Sequence, residues 1–171
     1  LQPVLQCDQP WEGSAVGTLC VLYDQVDSLY KMWCLVIEQR RICLAVFADS
    51  KTWTKPELDV FSYPGATNVV QGDRIGDVFS VEHAPPAAHR RPGTDGWSSE
   101  ARFIACEFLT TGPGSGEFPR GIYATWSHDG VHWERHLPAV LPDQGDRTTL
   151  YWDPVDQRLM VLSRHRNRSL Q

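Results

Sequence analysis

An all-β fold built from repeated antiparallel units is what this chain predicts, on three observations. Thirteen Gly and twelve Pro are scattered among seven Trp, five Tyr and six Phe, a mixture of turn formers and strand formers that leaves little room for long helices. Apolar residues alternate with polar ones over short stretches, the period of a strand rather than of a helix. The sequence also repeats itself, which bears on architecture before any single motif does. With 42% apolar and 22% charged residues over 171 positions, the composition is that of one ordinary globular domain and excludes collagen, coiled coil and general disorder.

Two internal matches define the repeat. Leu22-Tyr23-Asp24-Gln25-Val26-Asp27-Ser28-Leu29-Tyr30-Lys31-Met32 runs parallel to Tyr151-Trp152-Asp153-Pro154-Val155-Asp156-Gln157-Arg158-Leu159-Met160-Val161. Each reads as strand, acidic turn, strand. Ile42 through Asp49 to Trp53 matches Ile122 through Asp129 to Trp133, again strand, tight turn, strand. Taken in order, the first unit has expected strands near 18–23, 29–36, 42–48 and 52–54, and the second near 77–82, 101–108, 121–127 and 131–135. A third unit has strands near 147–152 and 157–163. Blade-like units therefore fall near 18–54, 77–135 and 147–171 of a single partial domain spanning 1–171.

A four-stranded antiparallel unit that recurs is the sequence signature of a β-propeller blade, because each blade buries its faces only against its neighbours. Propellers close with about four to eight blades, and the chain supplies about two and a half. The expectation is a partial propeller, a piece of a larger ring. Exposed blade faces and strand edges in such a piece invite self-association.

Charge and cysteine narrow the function classes. A net charge of -5 argues against a general phosphate-backbone binder, and the basic stretch at Arg158, Arg164, Arg166 and Arg168 reads as a solvated end, so no nucleic acid is expected. The longest apolar run, Met32 to Ile37, falls far short of the roughly 20 residues that cross a bilayer, and no membrane partner is expected. Cys7, Cys20, Cys34, Cys43 and Cys106 are odd in number, form no C-x-x-C pair and mostly sit in strand-like runs. They read as small hydrophobes rather than as a metal site or a disulfide framework. No signal peptide is legible in Leu1-Gln2-Pro3 and the residues after it. The compartment is left open, extracellular and periplasmic locations included.

Several motifs invite chemistry. Ser127-His128-Asp129-Gly130-Val131-His132-Trp133 places an Asp-Gly turn between two strands, with the Trp packing over it. It resembles the Asp-box of sialidase-like propellers, one residue short between Asp and Gly, and reads as a structural turn. His128, His132 and His136 have metal-ligand spacing for a helix, but the Asp-Gly turn interrupts it. On the expected strand, His132 and His136 share a solvated face with Glu134. Gly112-Pro113-Gly114-Ser115-Gly116 reads as a loop insertion in the second unit. No nucleophile elbow, P-loop or dinucleotide fingerprint occurs.

Pro10-Trp11-Glu12-Gly13, Tyr30-Lys31-Met32-Trp33, Ser50-Lys51-Thr52-Trp53-Thr54-Lys55-Pro56-Glu57-Leu58, Gly121-Ile122-Tyr123-Ala124, Asp129-Gly130-Val131-His132-Trp133 and Tyr151-Trp152-Asp153-Pro154 together resemble the five-bladed β-propeller glycosidase-like proteins related to glycoside hydrolase families 32 and 43. The resemblance implies a carbohydrate-active protein, a glycoside hydrolase that needs no cofactor and works through carboxylates at the central cavity. In such a site one carboxylic acid protonates the leaving oxygen while another acts as nucleophile or activates water. Gly145-Asp146-Arg147-Thr148 resembles the family's Arg-Asp-Pro element ahead of a strand, with Gly before the Asp and Arg after it. It implies Asp146 as a catalytic carboxylate and Arg147 as a substrate contact. The family's Asn-Asp-Pro-Asn-Gly nucleophile element is absent ahead of the first strand, where Trp11-Glu12-Gly13 supplies Glu12 as the nearby catalytic carboxylate candidate and Trp11 as a ring to stack on sugar. Gly72-Asp73-Arg74 supplies Asp73 ahead of the second unit. Asp24 and Asp153 read as hairpin residues, and Trp33, Trp53, Trp126, Trp133 and Trp152 as packing residues. The competing readings are a non-catalytic carbohydrate-binding propeller and a protein-interaction scaffold.

Overall fold

Short strands punctuated by turn formers give eleven strands and no helix among the residues that the computed structural model describes, which are 4–48, 52–72, 75–85, 100–110, 118–142 and 147–164. The fold is all-β and antiparallel. The first sheet runs β1 (Val16–Asp24), β2 (Leu29–Val36), β3 (Arg41–Phe47), β4 (Val69–Gln71). The second runs β5 (Ile75–His83), β6 (Phe103–Leu109), β7 (Gly121–Ser127), β8 (Trp133–Arg135), with β9 (Leu141–Pro142) also paired to β7. The third is the hairpin β10 (Thr149–Asp153) and β11 (Arg158–Leu162).

The repeats map onto matching hairpins. Asp24 pairs Leu29 at the β1–β2 turn, and Asp153 pairs Arg158 at the β10–β11 turn. Both aspartates cap the turn, Asp24 Oδ1 accepting from Val26 N at 3.0 Å and Asp153 Oδ1 from Val155 N at 2.9 Å. Ser28 and Gln157 occupy the left-handed region at the same place in the two turns, with φ of 58° and 50°.

The fourth strand of the first unit corrects the expectation, whereas that of the second unit forms as β8. The segment near 52–54 does not form a strand: only Thr54 bridges Val46, through a pair of 2.8 Å backbone hydrogen bonds. The fourth edge of the first sheet is β4, after a long excursion. The same offset that relates Ile42 to Ile122 carries the Val46–Thr54 bridge onto the Trp126–Glu134 pair of β7 and β8. In both units the chain leaves β3 or β7, touches one end of it, swings away, and returns to pair its other end as β4 or β9. The excursion is longer in the first unit, and it carries Lys55 and Asn68 to the candidate site.

Alternation sets which residues bury where. Trp33, Leu35, Ile42, Leu44 and Val70 face the second sheet, where Phe79, Val81, Phe103, Ala105, Leu109 and Tyr123 meet them. The opposite face of the second sheet places Ile104, Cys106, Phe108 and Ile122 against Leu150, with Leu159 and Val161 packed alongside. The second sheet is thus sandwiched, and β5 packs between β1 and β10. At the first joint Trp33 and Trp133 both donate their indole N–H to Gly130 O, at 3.0 and 3.1 Å, so the Asp-Gly turn fastens one sheet to the other. Trp33 and Trp126 are buried, whereas Trp53, Trp133 and Trp152 are half-buried.

A charged latch reinforces this joint. Lys31, 4% exposed, donates to Asp24 at 2.7 Å, Asp27 at 2.6 Å and Asp129 O at 2.6 Å. Arg102 adds bonds to Asp24 and Asp27 at 3.2 and 3.3 Å. The Lys31 hydrogen bond is the largest influence on the Asp27 carboxyl and, with Arg102, outweighs burial to hold it down from 3.8 to about 2. A carboxyl depressed by folding contributes stability that is complete above its unfolded value and is lost as pH falls through its folded value. The melting temperature should therefore hold on acidification to about pH 4 and then decline toward about pH 2. Asp27→Asn should flatten part of that decline. A thermal-melt series across this range reads the effect, and an unchanged acid slope in the variant refutes it.

Candidate functional site

The N-terminal segment crosses the outer face of the first sheet, away from the second. Leu5 and Val16 pack on Met32, Cys34 and Ala45, and Trp11 packs with Phe61 on Val36, Cys43 and Val69. A tight turn, with Glu12 N donating to Gln9 O at 3.0 Å, folds Glu12 back beneath the chain. Its side chain is 2% exposed. Glu12 Oε2 accepts from Asp8 N at 3.0 Å, Gln9 N at 3.2 Å and Lys55 Nζ at 2.6 Å.

Lys55 is the hub of the cluster. Its three donors reach Gln6 O, Asp8 Oδ1 and Glu12 Oε2, each at 2.6 Å, which is all an ammonium can give. Burial pulls its pKa down, but the hydrogen bonds to Asp8 and Glu12 outweigh that and leave it raised. The Lys55 hydrogen bond in turn holds the Asp8 carboxyl below its usual range. Trp11 Nε1 donates to Asn68 Oδ1 at 2.8 Å, and Asn68 Nδ2 donates to Leu44 O at 2.9 Å. Both anchors, Lys55 and Asn68, come from the β3–β4 excursion.

A cleft of about 420 Å³ opens beside Lys55, lined by Val4, Gln6, Asp8, Gln9, Trp53 and Thr54 among others. A smaller hollow of about 90 Å³ is lined by Gln9, Lys55, Trp11, Glu57 and Asn68 among others. Polar acceptors, amides and indole edges thus converge on one edge of the first sheet. No protein-family model, curated protein or solved structure matches the chain.

The structure brings together Trp11 and Glu12 and places Arg147 elsewhere. Arg147, exposed and with φ of 59°, stands just ahead of β10 on the third sheet. Glu12 was expected ahead of the first strand, but its cation comes from the excursion beyond β3, at the edge of the sheet opposite β1. Asp73 and Asp146 lie outside the described residues, as does the Gly112–Gly116 insertion. The three histidines find separate partners. His128 Nδ1 lies 2.8 Å from Glu100 O, His132 Nδ1 lies 2.7 Å from Asp129 Oδ2, and the His136 ring stands 6.5 Å from that of Trp126. His132 precedes β8 rather than sharing its face with Glu134. Among the described residues no group of three or more His, Cys, Asp and Glu could hold a metal ion, and no helix is long and apolar enough to cross a membrane. Burial pushes the thiols of Cys34, Cys43 and Cys106 up to about 12, so these groups stay protonated.

Sequence reasoning passed over Lys55 and Asn68. The available signal was a lone Lys between Trp53-Thr54 and Pro56, and an Asn directly before an apolar pair. Both are charged or polar residues set at the borders of strand-like runs, where a side chain can turn inward to bond backbone.

Proposed function

We propose that this chain is part of a β-propeller whose blades are its three sheets, and that it binds carbohydrate in the cleft beside Lys55 and Trp53. The propeller reading is supported by the shared hairpin geometry, by the matching split of the fourth strand in two units, and by β5 packing between β1 and β10. The carbohydrate reading is supported by the kind of wall the cleft has. Sugars are bound by rings against their C–H faces and by planar amides and carboxylates against their hydroxyls, and Trp53, Gln6, Asp8 and Gln9 offer both.

One observation favours binding over hydrolysis. The Glu12 carboxylate is 2% exposed and engaged by Lys55 and two backbone N–H groups. A nucleophile or general acid must meet the reacting atoms, and Glu12 is turned inward to hold the chain. A hydrolytic version of this reading would be carried by Asp146 and Asp73.

A broad glycan array, followed by titration of any hit against the Asp8→Ala and Gln9→Ala variants, tests the proposal. Binding should fall roughly tenfold in each variant, the loss of one or two hydrogen bonds to a hydroxyl. Release of reducing sugar by the wild-type chain would replace binding with hydrolysis, and no bound glycan at all would overturn the carbohydrate reading.

A further inference from the structure

Cys34 and Cys43 are directly opposed partners across β2 and β3. Leu44, next along β3, turns its backbone the other way: its N–H donates to Asn68 O at 2.8 Å and its carbonyl accepts from Asn68 Nδ2 at 2.9 Å. Cys43 therefore turns its backbone to β2 and forms a hydrogen-bonded pair with Cys34, with Cα atoms about 5.5 Å apart and both side chains on one face of the sheet. Disulfides most often span about 5.5–6 Å between Cα atoms. The other cysteines are placed differently. Cys20 is opposite Trp33, Cys106 is opposite Ser80 and Ala124, and Cys7 lies outside the strands.

The pair is also covered. Cys34 and Cys43 are each 2% exposed. Leu5 packs on the cluster that contains Cys34, and Trp11 on the cluster that contains Cys43, with Val16, Trp53 and Phe61 alongside. Leu5 and Trp11 belong to the segment that Lys55 fastens at Gln6, Asp8 and Glu12. A reagent in solution meets neither sulfur until that segment lifts.

We infer that Cys34 and Cys43 form an oxidation site, a dithiol that a low-molecular-weight disulfide converts to a cross-strand disulfide when the N-terminal segment lifts, with the Lys55 latch setting the rate. Once uncovered, one thiol gives its proton to water and its sulfur attacks the small disulfide. That S–S bond breaks, and one small thiol leaves and takes up a proton. The second cysteine, deprotonated in the same way, attacks the protein sulfur of the mixed disulfide and expels the second small thiol. Two protein thiols are oxidised and one small disulfide is reduced to two thiols, so no further co-reactant is consumed. Directly opposed Cβ atoms stand about 4.5–5.5 Å apart and a disulfide needs about 3.5–4.5 Å, so closure pinches β2 against β3 beneath the segment. This inference stands on strand register and on the latch, not on the carbohydrate reading.

Incubating the folded chain with oxidised glutathione, quenching by alkylation in denaturant at timed intervals and mapping tryptic peptides tests it. Cleavage after Lys31, Arg40, Arg41 and Lys51 puts the two cysteines on separate peptides, Met32–Arg40 and Ile42–Lys51, and these should appear joined. Lys55→Met, which takes the cation from buried Glu12, should speed the joining by at least about tenfold. Asp8→Ala, which removes an exposed partner of Lys55, should speed it roughly twofold to fivefold. Cys106, buried between the second and third sheets, should stay unmodified and be alkylated in the folded variants at the wild-type rate. Near-ultraviolet circular dichroism verifies the fold, and if Lys55→Met loses it, Asp8→Ala carries the test alone. Peptides that never join, a disulfide to Cys7 in place of the cross-strand one, a rate that neither variant changes, or an equal rise at Cys106 in a folded variant overturns the inference.

Discussion

Replacing Arg135 by Met should cost about 3–5 kcal/mol of stability, because it takes the guanidinium away from a buried carboxylate. Glu107 is fully buried on β6, on the face directed at the first sheet, and its carboxylate is held by Arg135 Nε and by Gln71 Nε2 at 3.3 Å. The Arg135 guanidinium is itself enclosed, 4.6 Å from the Phe118 ring and 5.9 Å from the Tyr123 ring. Met fills the same volume and keeps the ring contacts but supplies no charge, so the loss isolates the electrostatic part. For a chain of this size the melting temperature should fall by about 10 °C, and the urea midpoint should drop at constant slope. Adding Glu107→Gln to Arg135→Met should restore more than half of the loss, since a neutral amide is far cheaper to bury than a carboxylate that has lost its guanidinium. A double variant no more stable than Arg135→Met alone would show that the cost lies in packing.

Glu107 also illustrates what the sequence disclosed and what it withheld. It interrupts the apolar run Phe103-Ile104-Ala105-Cys106, as Lys31 interrupts the one around Met32-Trp33. A charge in that position announces a buried partner without saying which: Arg135 reaches Glu107 from two strands away in the same sheet, and Gln71 reaches it from the first sheet. The hairpins were legible because their geometry is local: an aspartate, a three-residue gap and a left-handed residue recur in both turns. The split fourth strand was not, because β4 is three residues long and follows an excursion with no period of its own. The candidate site was half legible. Trp11 and Glu12 stood out as an aromatic and an acid beside a glycine, but their anchors lie far along the chain, at Asn68 and Lys55. Only the three-dimensional pairing separates an acid that reaches a ligand from one that ties down its own segment.

Trp33→Ala should lower stability by about 3–5 kcal/mol, the usual cost of emptying a fully buried aromatic site. Trp33 stands at the centre of the first joint, edge-on to Phe103 at 5.5 Å and to Trp133 at 6.1 Å between ring centroids. The loss should come from the cavity rather than from the hydrogen bond, because Gly130 O keeps the Trp133 indole when Trp33 is gone. Trp33→Phe, which retains most of the ring, should accordingly cost about 1–2 kcal/mol. Gly130 offers the complementary half of a double-mutant cycle. A Cβ placed there would come within 2.9 Å of Trp33 Cζ2, and the residue holds a φ of 79°. Gly130→Ala should thus cost about 2–4 kcal/mol, combining a left-handed backbone with overpacking. In the Trp33→Ala background the clash vanishes and only the backbone contribution, about 1–2 kcal/mol, should remain. Chemical denaturation of the four proteins measures the coupling, and strict additivity would mean that the Asp-Gly turn and the Trp33 ring do not press on one another as the geometry requires.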